Sequence, residues 1–250
     1  MRFFRLLGFT VQFMTRIPIK KQFNVTEKDF AAMTMFFPVS SLIVGLIMAG
    51  VYWLLALAGL PWVAAVAAVL AACLATGGLH IDGFADMCDA FGARKSPERT
   101  LEILKDSRMG TYGVLALVFV MLLKIVMIGS IKDFNIYLIL IGIPVAGKIP
   151  LAICAAAGKY PREDGTGRLM INNITAKESI VCIIISLIIL YFCIGWISLL
   201  LLPVLLAAGF IMKAISQSRI GGVTGDILGA ANEIGELLWL LFAAVMGAAL

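Results

Sequence analysis

Residues 36–58 read FFPVSSLIVGLIMAGVYWLLALA, an apolar run without a charged side chain. Because about 20 apolar residues cross the hydrocarbon core of a bilayer, this stretch predicts a transmembrane helix. Further runs of the same character follow at 62–79, 111–131, 136–157, 179–195, 197–214 and 228–250. We therefore predict an all-α, polytopic integral membrane protein with about seven transmembrane helices.

The composition of the whole chain agrees with this fold class. Of the 250 residues, 62% are hydrophobic and 14% are charged, and the mean hydropathy is +1.03, which excludes a soluble globular domain. No internal repeat or flexible linker divides the sequence, so residues 1–250 are predicted to form a single membrane domain. The net charge is +5, but no basic stripe interleaved with aromatic residues is present, so no nucleic-acid partner is expected.

Lysine and arginine residues are concentrated in connections on one side of the predicted spans. They lie in the N-terminal segment and in the connections 80–110, 158–178 and 213–226, whereas a loop on the other side holds only Lys132. The positive-inside rule then predicts a multi-pass protein of the cell (inner) membrane with a cytoplasmic N-terminus. The polar motifs fall on the same side, so the active site is expected to be cytoplasmic.

Residues 77–89 read GGLHIDGFADMCD and place Asp82, Asp86 and Asp89 at the edge of an apolar run. In a helix, this spacing puts the three carboxylates within about 40° of one face. Like charges in that position repel one another and are costly to desolvate, and a divalent cation would remove both costs. Oxygen ligands select a hard ion, and Mg²⁺ completes its shell with substrate phosphates. Spacing alone equally allows a solvated helix start capped by Asp82, and it allows either a hydrogen-bonding or a plain interfacial role for His80.

A second acidic motif, GGVTGDILGAANEIGELLWLL at 221–241, opens the last apolar run. In a helix, Asp226 and Glu233 share one face. Glu233 and Glu236 lie one to two turns inside an apolar segment, where ionisable residues are functional candidates. The structural alternative is a glycine-rich turn in which Asp226 caps the helix.

Basic residues accompany the two acidic motifs. Lys105 and Arg108 directly precede a predicted span and are suited either to binding phosphate or to setting the topology. Arg162 lies in a polar, glycine-containing loop. Lys148 lies inside a span, where a buried ammonium group needs an anionic partner. Lys124 is similarly placed, and its side chain is also long enough to snorkel to an interface.

Taken in this order, the motifs resemble cobalamin synthase, the adenosylcobinamide-GDP ribazoletransferase family. The resemblance covers nearly the whole chain, and it is carried by FMTRIPI (13–19), TGGLHIDGFADMCDAFGARKSPERTLEILKDSRMGTYG (76–113), YPREDGTG (160–167) and GGVTGDILGAANEIGELL (221–238). Two positions depart from the family pattern. Ala90 stands where a glycine is common, and Lys148 stands where an arginine is expected, which removes the planar fork of a bidentate phosphate contact.

The resemblance implies an enzyme that joins α-ribazole, or its 5′-phosphate, to adenosylcobinamide-GDP and releases GMP, with Mg²⁺ as cofactor. It implies catalytic roles for Asp82, Asp86, Asp89, Glu233 and Arg108. It implies substrate contacts from His80, Lys105, Lys148, Arg162 and Asp226. It implies metal ligands among Asp82, Asp86, Asp89 and Glu236. The expected partners are these small-molecule substrates and the lipid bilayer, and the oligomeric state is left open, a homo-oligomer included.

Two other hypotheses remain. A CDP-alcohol phosphotransferase also carries spaced aspartates on membrane helices, but residues 90–106 lack the later Gly-Asp spacing of its signature. An ion-coupled transporter would use intramembrane carboxylates, yet here the acidic residues lie near one membrane face and no inverted repeat is visible. The first enzyme would release GMP, the second would release CMP, and a transporter would release neither.

Overall fold

The computed structural model describes residues 2–106, 108–131, 135–162 and 165–249. Within them the chain is 81% helical and has no strand, which confirms the all-α prediction. Lys132, used in the topology prediction, and Glu163 and Asp164 of the 160–167 motif lie outside the described residues.

The described chain contains short and long helices, with 3-10 segments at Met33–Phe36 and Gly195–Leu201. The α-helices of the described ranges are α1 (Arg2–Met14), α2 (Glu27–Ala32), α3 (Phe37–Ala56), α4 (Pro61–Thr76), α5 (Leu79–Gly92), α6 (Pro97–Ile103), α7 (Thr111–Ser130), α8 (Ile136–Ala146), α9 (Lys148–Ala157), α10 (Thr166–Ile171), α11 (Ala176–Ile194), α12 (Leu202–Ile220) and α13 (Gly225–Ala249).

In the described part of the chain, five helical segments are long and apolar enough to cross a membrane, and α4 with α5 makes a sixth if the bent pair is one span. The five are Glu27–Ala56, Thr111–Ser130, Ile136–Ala157, Ala176–Ile220 and Gly225–Gly247. The molecule is therefore a multi-pass membrane protein, but the predicted count of seven is not confirmed. Between six and seven, the difference arises in Ala176–Ile220. In this 45-residue segment the sequence predicts two spans, and the structure has α11 and α12 joined by the 3-10 segment Gly195–Leu201.

The corner between α4 and α5 sets the direction of the acidic helix. Gly77 and Gly78 have φ values of +67° and +76°, which glycine adopts without the steric cost of a Cβ atom. The axes of α4 and α5 meet at 92°. The predicted span 62–79 therefore ends at this corner, because the two left-handed residues turn α5 away from the axis of α4.

Helix α13 is the central element, since it packs against α5, α7, α8, α9 and α12. Its contact with α5 is made through glycines. A Cβ atom on Gly83 would lie 2.8 Å from the Cα atom of Asp226, and one on Gly229 would lie 2.8 Å from the carbonyl oxygen of His80. The first halves of the two helices are thus in backbone contact, which brings the two acidic motifs together.

The span Ile136–Ala157 is broken between α8 and α9. Pro144 lies inside α8, where it cannot donate a backbone hydrogen bond, and α9 begins at Lys148. Lys148 is buried at this break. The break places an ammonium group inside the bundle, next to α13.

Candidate active site

The two acidic motifs meet where α5 crosses the start of α13. Asp82 is exposed, and Asp86, Asp89 and Asp226 are half-buried. The carboxyl groups of Asp82, Asp226 and Asp89 each repel the negative charge of Asp86. We refer to Asp82, Asp86, Asp89 and Asp226 as the acidic face. All four members carry the same negative charge and none of them can neutralise another, so the acidic face favours a bound cation.

Asp89 differs from the other members of the acidic face because its carboxylate is held by backbone donors. The N–H of Gly110 donates to Oδ2 at 2.7 Å, and the N–H of Gly113 donates to Oδ1 at 2.8 Å. Gly113 is in the first turn of α7, where a negative charge is favoured by the helix dipole. Asp89 therefore fastens the end of α5 to the start of α7.

The predicted cationic residues differ in burial and in the groups they contact. Arg162 interacts electrostatically with Asp226, and its Nη2 donates to the carbonyl oxygen of Leu101 at 2.8 Å. The Nε atom of Arg162 is buried and has no hydrogen-bond partner among the described residues. A buried N–H group without an acceptor is costly, so this guanidinium retains capacity for an anionic ligand.

Arg108 and Lys105 are exposed. The side chain of Arg108 is 88% exposed and forms an ion pair with Asp106 at 2.7 Å. The hydrogen bonds that Arg108 donates lower the pKa of Asp106 to about 2. Arg108 thus faces solvent beside the Gly110–Asp89 contact and pairs with Asp106.

The donor chemistry of the acidic face fits Mg²⁺, since it consists of hard carboxylate oxygens without thiol or imidazole ligands. In the conformation described, however, no group of three or more His, Cys, Asp or Glu side chains among residues 2–106, 108–131, 135–162 and 165–249 is arranged to hold a metal ion. The metal assignment therefore depends on the chemistry of the donors and not on a preformed cage.

A second polar cluster lies deeper, between α7 and α13. Lys124 is only 6% exposed, and its Nζ contacts Oε2 of Glu233 and Oε2 of Glu236, each at 2.6 Å. Of the two alternatives for Lys124, the structure has the buried ammonium group and not the one that snorkels to an interface, because the two glutamates neutralise its charge inside the bundle. Both carboxylates face this ammonium group.

Asn232 extends the cluster toward α5. Its Nδ2 donates to Oε1 of Glu236 at 2.7 Å, and its Oδ1 accepts a hydrogen bond from Lys148. The Nζ of Lys148 also lies 3.2 Å from Nε2 of His80, the second residue of α5. We refer to this chain of side chains as the buried polar network; its members are Lys124, Glu233, Glu236, Asn232, Lys148 and His80.

A cavity of about 40 Å³ adjoins the buried polar network. Apart from network members, its lining includes the hydroxyl-bearing residues Thr15, Ser40, Ser41 and Thr76. A cavity of this volume with polar groups in its wall has room for a small number of water molecules. It is too small for a nucleotide substrate.

The structure thus divides the predicted site residues into two groups. The first group is the acidic face, with Arg162 beside it and with Arg108 and Lys105 in the segment that precedes Gly110. The second group consists of His80, Lys148, Glu233 and Glu236, which belong to the buried polar network. The sequence interpretation missed Lys124 and Asn232 as members of a site. An ammonium group inside an apolar run was the available signal, because such a group requires an anionic partner.

Comparison with known proteins gives a family and several relatives. The model of the family described as cobalamin-5-phosphate synthase matches residues 6–244. The adenosylcobinamide-GDP ribazoletransferase of Clostridium novyi (strain NT) is 39% identical over 234 residues, which cover 92% of this chain and 93% of the relative. The proteins of the same name from Clostridium acetobutylicum and Clostridioides difficile (strain 630) are 36% and 35% identical, over 96% and 93% of this chain and 96% and 94% of their own lengths. No solved structure matches.

Proposed function

The chain belongs to the cobalamin-5-phosphate synthase family, and on that premise we propose that it is an adenosylcobinamide-GDP ribazoletransferase. It joins α-ribazole, or its 5′-phosphate, to adenosylcobinamide-GDP, releases GMP and gives adenosylcobalamin or its 5′-phosphate. One observation carries the proposal: relatives with this name align with more than nine-tenths of the chain. Within the aligned region, the predicted site residues supply all four members of the acidic face and four of the six members of the buried polar network.

The reaction is a displacement at phosphorus. A ribose hydroxyl of the ribazole attacks the cobinamide-side phosphorus of the pyrophosphate, a new P–O bond forms, and the bond to the bridging oxygen breaks with GMP as the leaving group. The hydroxyl proton must be accepted during the attack. The chemistry therefore requires a group that orients the hydroxyl and cationic groups that stabilise the departing phosphate.

Asp82, Asp86 and Asp226 are the residues we assign to Mg²⁺, because their oxygens are less committed to the protein than those of Asp89. When bound, Mg²⁺ supplies charge neutralisation at the pyrophosphate. Asp89 instead holds the start of α7 through Gly110 and Gly113, which keeps the acidic helix in place. The predicted metal role of Glu236 stays a prediction, and its contacts with Lys124 and Asn232 do not favour it.

We assign Arg162 to the substrate phosphates, since its buried Nε lacks a partner in the described structure and its charge lies near Asp226. Arg108 and Lys105 approach from the solvent side, where Arg108 would exchange Asp106 for a phosphate oxygen. Asp226 is favoured over Glu233 as the group that orients the attacking hydroxyl, because the Glu233 carboxylate is buried and paired with Lys124.

The location of the enzyme is part of the same proposal. The protein is proposed to form one domain of the cell (inner) membrane with its acidic face toward the cytoplasm. The support is the distribution of lysine and arginine, which lie mainly in connections on one side of the spans. The substrates are water-soluble nucleotides, and a cytoplasmic acidic face gives them direct access.

The test is GMP release by protein purified in detergent and supplied with adenosylcobinamide-GDP and α-ribazole, in Mg²⁺ or in EDTA. We expect GMP and a cobalamin product in Mg²⁺ and neither in EDTA. A matched control is Glu102→Gln, which removes an exposed carboxylate of α6 that pairs with Arg99 and should leave the rate unchanged. Absence of GMP from folded protein would reject the assignment, and release of CMP from a CDP-alcohol would support the second enzyme hypothesis.

A further inference from the structure

The buried polar network lies well inside the bundle, below the acidic face. Lys124 is 13 residues after the first residue of α7, which is about 20 Å along the helix axis. Glu233 and Glu236 lie about 12 Å and 17 Å from the start of α13. Asp226 and the Gly113–Asp89 contact, by contrast, are in the first turns of the same two helices. The network and the acidic face are therefore separate layers joined by shared helices.

The network satisfies its own charges. Its two lysines and two glutamates balance in charge: Lys124 pairs with both glutamates, and Asn232 links Lys148 to them by accepting from Lys148 and donating to Glu236. A metal ion is not needed to balance these groups. Buried ion pairs contribute little net stability, and their best-attested use is to fix the register between elements.

The register that this network fixes is that of α5. His80 lies two residues before Asp82, and its ring contacts Lys148 of α9. At the other end of the same helix, Asp89 is held by the backbone of α7. Asp82 and Asp86 lie between these two anchors. Helix α5 is thus held against α9 at its start and against α7 near its end. Both of these helices are tied to α13, α7 by Lys124 and α9 by Asn232.

We propose that Lys124, Asn232 and His80 are positioning residues for the transfer reaction: the buried polar network holds α5 in the register that aims Asp82 and Asp86 at the substrate. This inference rests on the proposed function. The three residues act through α5 and do not touch the reacting atoms. A displacement of about 1 Å in a reacting geometry costs about 100-fold in rate, so loss of the anchor should lower kcat more than it raises KM.

The test compares Asn232→Leu with Trp239→Phe. The first variant removes the link between the halves of the network and keeps the number and branching of the side-chain heavy atoms. The second removes another buried hydrogen bond of α13, the one from the Trp239 indole to the carbonyl oxygen of Ile139 on α8, at 3.0 Å. The control therefore loses a comparable buried hydrogen bond, and this bond connects α13 to α8 and not to the network that contacts α5.

Three quantities are measured for each folded variant: kcat and KM for GMP release, the Mg²⁺ concentration at half-maximal rate, and backbone hydrogen exchange of residues 79–92. We expect Asn232→Leu to lower kcat at least tenfold, to raise the Mg²⁺ requirement and to speed exchange in α5. Trp239→Phe should change none of these. His80→Gln, which keeps a polar end group, should recover most of the rate that His80→Phe loses.

Equal kcat values and equal α5 exchange in Asn232→Leu and Trp239→Phe would overturn the inference. If Asn232→Leu does not fold, His80→Phe, which removes only the end of the network, gives the same comparison with Trp239→Phe. Hydrogen exchange does not depend on turnover. A wild-type protein that releases no GMP would therefore reject the proposed function, while exchange in α5 would still report whether the network holds that helix.

Discussion

At the scale of single residues, neighbouring carboxylates of one motif have different environments. Asp89 accepts two backbone N–H bonds at the start of α7, so its negative charge is stabilised by the protein. Asp86 lies one turn earlier and is repelled by Asp82, Asp89 and Asp226. A carboxylate that is destabilised in the folded protein is suited to binding a cation, whereas one whose two oxygens each accept a backbone N–H is suited to holding the fold.

Asp86→Asn and Asp89→Asn should therefore differ in their effects on the rate of GMP release and on the Tm. Asp86→Asn removes a repelled charge, so we expect GMP release to fall at least 100-fold with an unchanged or raised Tm. Asp89→Asn turns an amide NH₂ toward a backbone N–H, which costs about 1 kcal/mol, and its Tm should fall. Rates and thermal unfolding of the two purified variants check this. A lowered Tm for Asp86→Asn with normal turnover would contradict it.

Arg94 has a left-handed backbone, with φ +49°, at the second position after the last residue of α5. Glycine commonly ends helices in this conformation because it has no Cβ atom, and a side chain there costs about 1 kcal/mol. We expect Arg94→Gly to raise the Tm by about 2–4 °C at an unchanged rate of GMP release. A large loss of rate without loss of stability would instead assign a role in the reaction to this exposed guanidinium.

At the scale of helices, the crossing of α5 and α13 determines whether the two acidic motifs meet. Gly83 faces the backbone of Asp226, and Gly229 faces the backbone of His80. Backbone atoms cannot move aside as a flexible side chain does. The acidic face therefore depends on glycine at the crossing as much as on its aspartates.

Gly83→Ala should separate the two helices. Its Cβ atom would lie 2.8 Å from the Cα atom and 2.9 Å from the carbonyl oxygen of Asp226, and overpacking of this kind costs about 1–3 kcal/mol. We expect a lower Tm and loss of most GMP release. The matched control is Gly50→Ala in α3, where a Cβ atom meets nothing within 4 Å. A Gly83→Ala variant as stable and active as Gly50→Ala would contradict the proposed role of the crossing.

The helices and the spacing on α5 could be predicted from the sequence because they depend on local patterns of apolar and charged residues. Hydropathy did not reveal the corner at Gly77 and Gly78, since apolar residues continue through it. The partners of Lys124 were also hidden, because Glu233 and Glu236 are more than a hundred positions away and meet it only through the register of two packed helices. Contacts between elements are set by the tertiary packing, which a local pattern does not encode.

At the scale of the whole molecule, polar groups are arranged by depth. The acidic face lies on α5 and at the start of α13, beside the start of α7. The buried polar network lies further along α7 and α13, and the basic connections join the helix ends on the side of the acidic face. This arrangement requires one orientation in the membrane if the acidic face is to meet nucleotides in the cytoplasm. The distribution of positive charge predicts that orientation.

Cysteine labelling in intact cells tests the orientation. In a background where the half-buried Cys73 and Cys88 are replaced by alanine, Ala58→Cys is placed between α3 and α4 and Ser96→Cys between α5 and α6, both at exposed positions. Because the connection that contains Ser96 carries the basic residues, a membrane-impermeant maleimide should label Ala58→Cys directly and Ser96→Cys only after permeabilisation. The opposite pattern would place the acidic face outside the cytoplasm, and labelling of both from outside would mean that the α4–α5 pair does not return across the bilayer.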